Sequence, residues 1–134
     1  MRQIKCRGKA TYNNEWRFGS LVIVEGSNHI VEECDLYECG HHIAQESDRP
    51  TWVKEETIGQ YTGMQDKKGK DVYEGDIVAF LYKGREVKCE IAWCDYTGMW
   101  YFKNDSAFLL NRDTIGKSTI IGNIHDNPEL LERR

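Results

Sequence analysis

Residues 59–78 read GQYTGMQDKKGKDVYEGDIV, and the turn signals in this stretch decide the fold. Thr57 to Gly63 has the composition of a strand that closes in a turn. Asp66-Lys67-Lys68-Gly69-Lys70 is loop chemistry: the aspartate at the front can accept from its own backbone, and the glycine can take a positive φ. Asp71-Val72-Tyr73 leads into a second turn, Glu74-Gly75-Asp76. Ile77-Val78-Ala79-Phe80-Leu81-Tyr82 follows, a strand apolar enough to be buried on both faces. The stretch contains no catalytic or ligand-binding constellation. It reads as the joint between an amino-terminal β-region, 1–58, and a carboxy-terminal barrel region, 59–134.

Downstream the pattern repeats. Lys83-Gly84 turns into Arg85–Trp93, where Val87, Cys89, Ile91 and Trp93 alternate with polar or small residues at the period of a half-buried strand. Asp95-Tyr96-Thr97-Gly98 turns again, Met99–Phe102 is the next strand, and Ser118–Ile124 is the last. Asp126 or Asn127 then caps a short helix with Pro128 at its first position, running through Glu132. Short strands joined by glycine-bearing turns predict a mainly β fold with a small antiparallel barrel in the carboxy-terminal part.

Upstream, Ile4 and Cys6 alternate with Gln3, Lys5 and Arg7. Trp16–Val24 is aromatic and β-branched, and His29-Ile30-Val31 resumes after the turn Glu25–Asn28, so an N-terminal β-meander is expected. Residues 32–58 are the least regular. A mobile loop of variable length is expected over about 32–50, with a short strand at Thr51–Lys54.

The 134 residues suit a single domain, 1–134, and the 40% hydrophobic and 30% charged fractions are those of a soluble globular protein. The formal charge is −4, and neither half of the chain has the cationic excess that advertises phosphate-backbone binding. There is no apolar run of about 20 residues to span a bilayer and no h-region behind the basic amino terminus. The five cysteines read as reduced thiols in a cytoplasmic protein.

Several side chains invite a functional reading. Cys34 and Cys39 lie beside His41 and His42, and Cys89 and Cys94 have the same spacing; zinc sites favour closely spaced pairs. An offset of five in a strand sends two side chains to opposite faces, however, and Cys89 sits among inward residues. A solvated histidine pair and a core thiol are therefore the preferred readings, with no metal and no cofactor. Catalysis by a cysteine–histidine pair is likewise not supported by the spacing. The candidate binding surface is Tyr82, Lys83, Arg85, Lys88, Trp93, Trp100 and Tyr101, in which aromatics could stack on bases or on a protein partner while cations reach phosphates. On adjacent strands half of these aromatics must face the core.

Gln60-Tyr61-Thr62-Gly63, Asp66 to Gly69, Tyr73–Val78 and Ile121-Gly122-Asn123-Ile124-His125-Asp126-Asn127-Pro128-Glu129-Leu130-Leu131 resemble, in this order, the signature blocks of the YopX family. The opening Arg2–Lys9 is similar to its amino-terminal block, with Cys6 where an aromatic is more usual. The resemblance implies a small phage or prophage protein, mostly β and barrel-like, in the cytoplasm of a bacterial host. It brings no catalytic residues, since the biochemical role of that family is unknown. Glu74–Val78 also looks like the opening of SH3-like barrels, over a few residues only. The expectation is a non-enzymatic protein-interaction module for a host or phage protein, with homo-oligomerisation through open strand edges. A nucleic-acid-binding small barrel is the alternative, and a zinc-dependent role of the Cys/His loop ranks below it.

Overall fold

A computed structural model describes residues 5–24, 40–44, 51–104, 108–109 and 112–131. The chain divides into two compact units, one built from Gln3–Gln60 and the other from Tyr61–Arg134. Among the described residues no helix is long and apolar enough to cross a membrane.

In the amino-terminal unit, β1 (Cys6–Lys9) lies between β2 (Trp16–Val24) and the first residues of β5 (Gly59–Gln65), antiparallel to both. β2 continues to β3 (Gly40–Ala44), which pairs with β4 (Thr51–Val53). The strand at Gly40–Ala44 corrects the expectation of an unbroken loop over 32–50; the remainder of that segment, Cys34 and Cys39 included, lies outside the described residues, as does the expected strand His29–Val31. Gly8 is closely packed here. A Cβ on it would stand 3.0 Å from the Cβ of Val53, so a larger residue here would have to push β1 and Val53 apart by a few tenths of an ångström. Thr57, buried in a 3₁₀ turn at Glu55–Thr57, accepts the backbone N–H of Lys9 at 2.9 Å and donates to the carbonyl of Lys54 at 2.6 Å. Arg7 is buried, with its guanidinium 4.6 Å from the centre of the Trp16 ring. The aromatic face compensates part of the cost of holding a cation inside.

The carboxy-terminal unit begins with the rest of β5, paired to β6 (Asp71–Tyr73). A five-stranded antiparallel sheet follows, in the order β10-β9-β8-β7-β11. Its strands are β7 (Asp76–Tyr82), β8 (Arg85–Cys94), β9 (Met99–Lys103), β10 (Phe108–Leu109) and β11 (Thr119–Asn123). β10 and β11 are the ends of that order. The sheet is open, which corrects the expected barrel: the all-β composition and hairpin spacing were legible, but closure requires an edge pairing that β10 and β11 do not make. One face carries the core. Val78 opposes Cys89, Phe80 opposes Val87 and Ile91 opposes Phe102, and all but the half-buried Val87 join Val72 and Ile115 in one buried cluster.

Ile115 comes from an unexpected element, the six-residue helix α1 (Arg112–Lys117), which sits where no helix was read. Gly116 and the β-branched Thr114 and Ile115 give it little intrinsic propensity; burial of Ile115 holds it in place. The expected carboxy-terminal helix is a single 3₁₀ turn, Pro128–Leu131, packed against β8.

Candidate binding surfaces at the two ends of the carboxy-terminal sheet

The seven residues singled out from the sequence do not form one surface. β8 separates them: Arg85 and Trp93 are eight residues apart along one strand, a contour of about 27 Å. Tyr82, Lys83 and Arg85 belong to the β7–β8 turn at one end of the sheet, whereas Trp93 and Trp100 flank the β8–β9 turn at the other. The pairing register also divides the faces. Tyr82, Arg85, Trp93 and Trp100 share parity with the core residues Phe80, Val87 and Ile91, while Lys88 and Tyr101 have the opposite parity.

At the β8–β9 end, Trp93 and Trp100 are direct cross-strand partners whose rings meet edge to face, 5.0 Å between centroids at 72°. Trp100 packs on the core and is partly buried, while Trp93 is 43% exposed. Met99 is exposed to a similar degree, and Tyr96 in the turn is 98% exposed. Two further turns are tied to this end by backbone bonds: Gly75 N–H donates to the carbonyl of Ile91, and Ile124 N–H to that of Gly75. Asp76 closes the first, its Oδ2 accepting the N–H of Tyr73 at 2.8 Å. Asn123 closes the second by accepting the N–H groups of His125 and Asp126. A Cβ on Gly122 would lie 2.6 Å from Oδ1 of Asn127 and 2.9 Å from Cδ1 of Leu130, so any larger residue there must displace those side chains. The three turns carry Glu74, Asp76, Asp95 and Asp126 and no lysine or arginine.

The opposite end is held by Asp66. Its buried carboxylate accepts the backbone N–H groups of Lys68 and Lys70 through Oδ1, both at 2.9 Å, and that of Ile120 through Oδ2 at 3.0 Å. Burial alone would raise this acid. The bonds from Ile120, Lys70 and Lys68, helped by the Lys70 charge, outweigh it and hold the carboxyl below its ordinary 3.8. Lys67 N–H donates to the carbonyl of Ser118, beside the start of β11. The loop that reads as a simple turn in the sequence is thus clipped to a strand more than fifty residues later. At the β7–β8 tip, Lys83 and Gly84 both have positive φ, +52° and +79°, the two-residue hairpin turn that follows the twist of its strands. Lys83 places its ammonium 5.4 Å from the centre of the Tyr82 ring. Leu81, expected with the rest of Ile77–Tyr82 to be buried on both faces, is 76% exposed, because the strand runs past the core into the hairpin tip.

The thiols differ along β8. Cys89 is fully buried in the core, and burial pushes it up to about 11, only partly opposed by the hydrogen bond from Asn104. Cys94, at the β8–β9 turn, is held below its ordinary value by hydrogen bonds from the Thr97 side chain and then its backbone. Glu90, on the strand between them, is raised by burial and drawn back by Lys103 opposite. His41 and His42 lie on β3. No group of three or more metal-ligating side chains occurs among the described residues.

These clipped turns coincide with the blocks that the sequence shares with a family. A model of the family described as YopX protein matches residues 5–132. The chain belongs to the YopX family. Among solved structures, the YopX chain is similar to the crystal structure of protein EF1440 from Enterococcus faecalis, with 25% identity, a TM-score of 0.60, and coverage of 98% of this chain and 100% of that one. No curated protein matches it. The family blocks Asp66–Gly69, Tyr73–Val78 and Ile121–Leu131 therefore have a physical reading in this YopX protein: they are the residues that close turns onto distant strands.

Proposed function

We propose that this YopX protein is a non-enzymatic protein-interaction module that receives its partner on the β8–β9 end of the carboxy-terminal sheet. The observation that carries this reading is the Trp93–Trp100 pair, one ring anchored on the core and the other 43% exposed, beside Met99 and Tyr96. Rigid aromatic and methionine side chains are the residues over-represented where proteins bury surface against one another. The partner is a protein of the bacterial host or of a phage; a phage or prophage origin, and with it a cytoplasmic setting, rests on the family resemblance. A second copy of the chain fits the same reading, since β10 and β11 are edge strands whose outer sides pair with no other strand among the described residues.

The test is capture from a lysate of the source cells with tagged wild type and with Trp93→Ala, after circular dichroism establishes that the variant is folded. Wild type is expected to retain a protein that Trp93→Ala loses. Identical captures, or none by either, defeat the assignment. Light scattering decides the self-association branch: a monomer at all concentrations removes it.

A further inference from the structure

The formal charge of −4 conceals a basic end. Three segments that are far apart in sequence converge where β7 ends and β11 begins. The β5–β6 loop reaches Ser118 through the Lys67 N–H and Ile120 through Asp66. Helix α1 ends at Lys117, next to Ser118. β11 then runs beside β7, with Thr119 opposite Ala79, and Ala79 is itself opposite Lys88 of β8. The β7–β8 turn closes the same end. Neighbouring strands lie about 4.8 Å apart, so these segments meet at one end of the sheet, with Tyr82 and Arg85 on its core-side face and Lys88 on the other.

The loop contributes Lys67, Lys68 and Lys70, the helix Lys117, and the hairpin Lys83, Arg85 and Lys88, all exposed. None of them forms an ion pair with a described residue. Against these seven cations stand Asp66, Asp71, Glu86 and Asp113. Asp66 is buried with its oxygens turned to backbone donors, and Asp71 accepts from the Gln65 side chain. The Tyr82 ring is 45% exposed beside the Lys83 ammonium. Lys83 occupies a left-handed position that asparagine or glycine fills at lower cost, by about 1 kcal/mol. A cation placed where the backbone disfavours it, next to a half-exposed ring, is hard to explain by folding alone.

We propose that this end of the sheet binds single-stranded nucleic acid, with the lysines and Arg85 on successive phosphates and Tyr82 stacked on a base. An exposed aromatic among unpaired cations is the arrangement that single strands are held by, because every base has a face and every linkage a charge. This surface lies at the opposite end of β8 from the proposed protein-binding end, and it stands or falls independently of that reading.

Fluorescence anisotropy with a labelled oligothymidylate of about 15 nucleotides tests it. Wild type is expected to bind at low salt, with affinity falling linearly on a log–log salt plot. Two neutralised proteins, Lys83→Asn/Arg85→Gln/Lys88→Gln and Lys67→Gln/Lys68→Gln/Lys70→Gln, keep the backbone bonds of both turns and should fold. Each is expected to lose at least about tenfold in affinity and to reduce the salt slope by about 2. Tyr82→Ala should cost about tenfold on the single strand and leave the slope unchanged. The proposal is overturned by no binding at about 100 µM protein, or by neutralised proteins that bind as wild type does. It is equally overturned if polyglutamate displaces the oligonucleotide at matched charge, which assigns the surface to an acidic protein. Duplex bound as tightly as single strand and indifferent to Tyr82→Ala overturns it as well.

Discussion

The two ends of the carboxy-terminal sheet are built by the same device and present opposite chemistry. At each, a side-chain oxygen closes a turn by collecting backbone donors: Asp66 at one end, Asp76 and Asn123 at the other. At one end the closed turns display lysines and Arg85 around Tyr82; at the other they display Trp93, Tyr96 and Met99 beside acids. Turn closure and surface chemistry are therefore separable, since Asp66 and Asp76 fix the backbone from buried positions while Lys67, Lys83, Trp93 and Tyr96 are exposed. The contrast teaches that one turn-closing device can support two different surface chemistries, even within a single loop, where Asp66 is buried and Lys67 and Lys68 are exposed.

The largest change is expected at the aromatic end. Gly122→Ala forces a Cβ to within 2.6 Å of the Asn127 amide that receives the Asn123 N–H; overpacking of this kind costs roughly 2–3 kcal/mol. A urea titration should show that loss, and an unchanged midpoint would mean that Asn127 moves aside freely. Asp66→Ala at the basic end should cost about 2 kcal/mol, because three backbone donors lose one acceptor. Its pH dependence has a definite sign. The folded carboxyl lies below its unfolded value near 3.8, so the contribution is complete above about pH 4 and is lost as pH falls through the folded value. Wild type should therefore lose stability on acidification more steeply than Asp66→Asn; parallel profiles would dissociate the clip from the carboxylate.

A smaller contrast sits on β8 itself. Iodoacetamide at pH 8 should modify Cys94 at least about tenfold faster than Cys89, since the thiolate is the nucleophile and Cys89 is buried and raised to about 11. Peptide mass mapping reads the ratio, and equal rates would show that β8 opens before reaction. Protection of Cys94 by a captured partner would sharpen the assignment of the aromatic end. The smallest effect is Lys83→Asn alone, which should raise stability by about 0.5–1 kcal/mol by relieving a left-handed lysine. If stability falls instead, Lys83 is there for the fold and not for a ligand.

Much of this was legible in the residues. The alternation Val87, Cys89, Ile91 gave β8 and its buried face, Lys83-Gly84 and Asp95–Gly98 gave the hairpins, and the run Ile77–Tyr82 gave a strand that is buried through Phe80 but exposed at Leu81 and Tyr82. These are local signals, carried by residues within a few positions of one another. What was misread required distant partners. Gly40–Ala44 has no alternation of its own and is a strand because β2 and β4 lie on either side of it. Arg112–Lys117 has little helical propensity and is a helix because Ile115 fills the core. The barrel failed on edges, and no local pattern states whether two edges meet.

The same division holds for the candidate sites. The sequence by itself determined the family, the all-β character, the turn residues and the parity of each side chain, because these follow from spacing and backbone geometry. Which residues stand together was decided by the tertiary structure alone. Trp93 and Arg85 look like neighbours in a list and lie at opposite ends of one strand; Lys67 and Lys83 look unrelated and share one end because Asp66 ties its loop to β11. Charge adds along a chain without regard to place, but a surface potential depends on distance, and only the fold sets the distances.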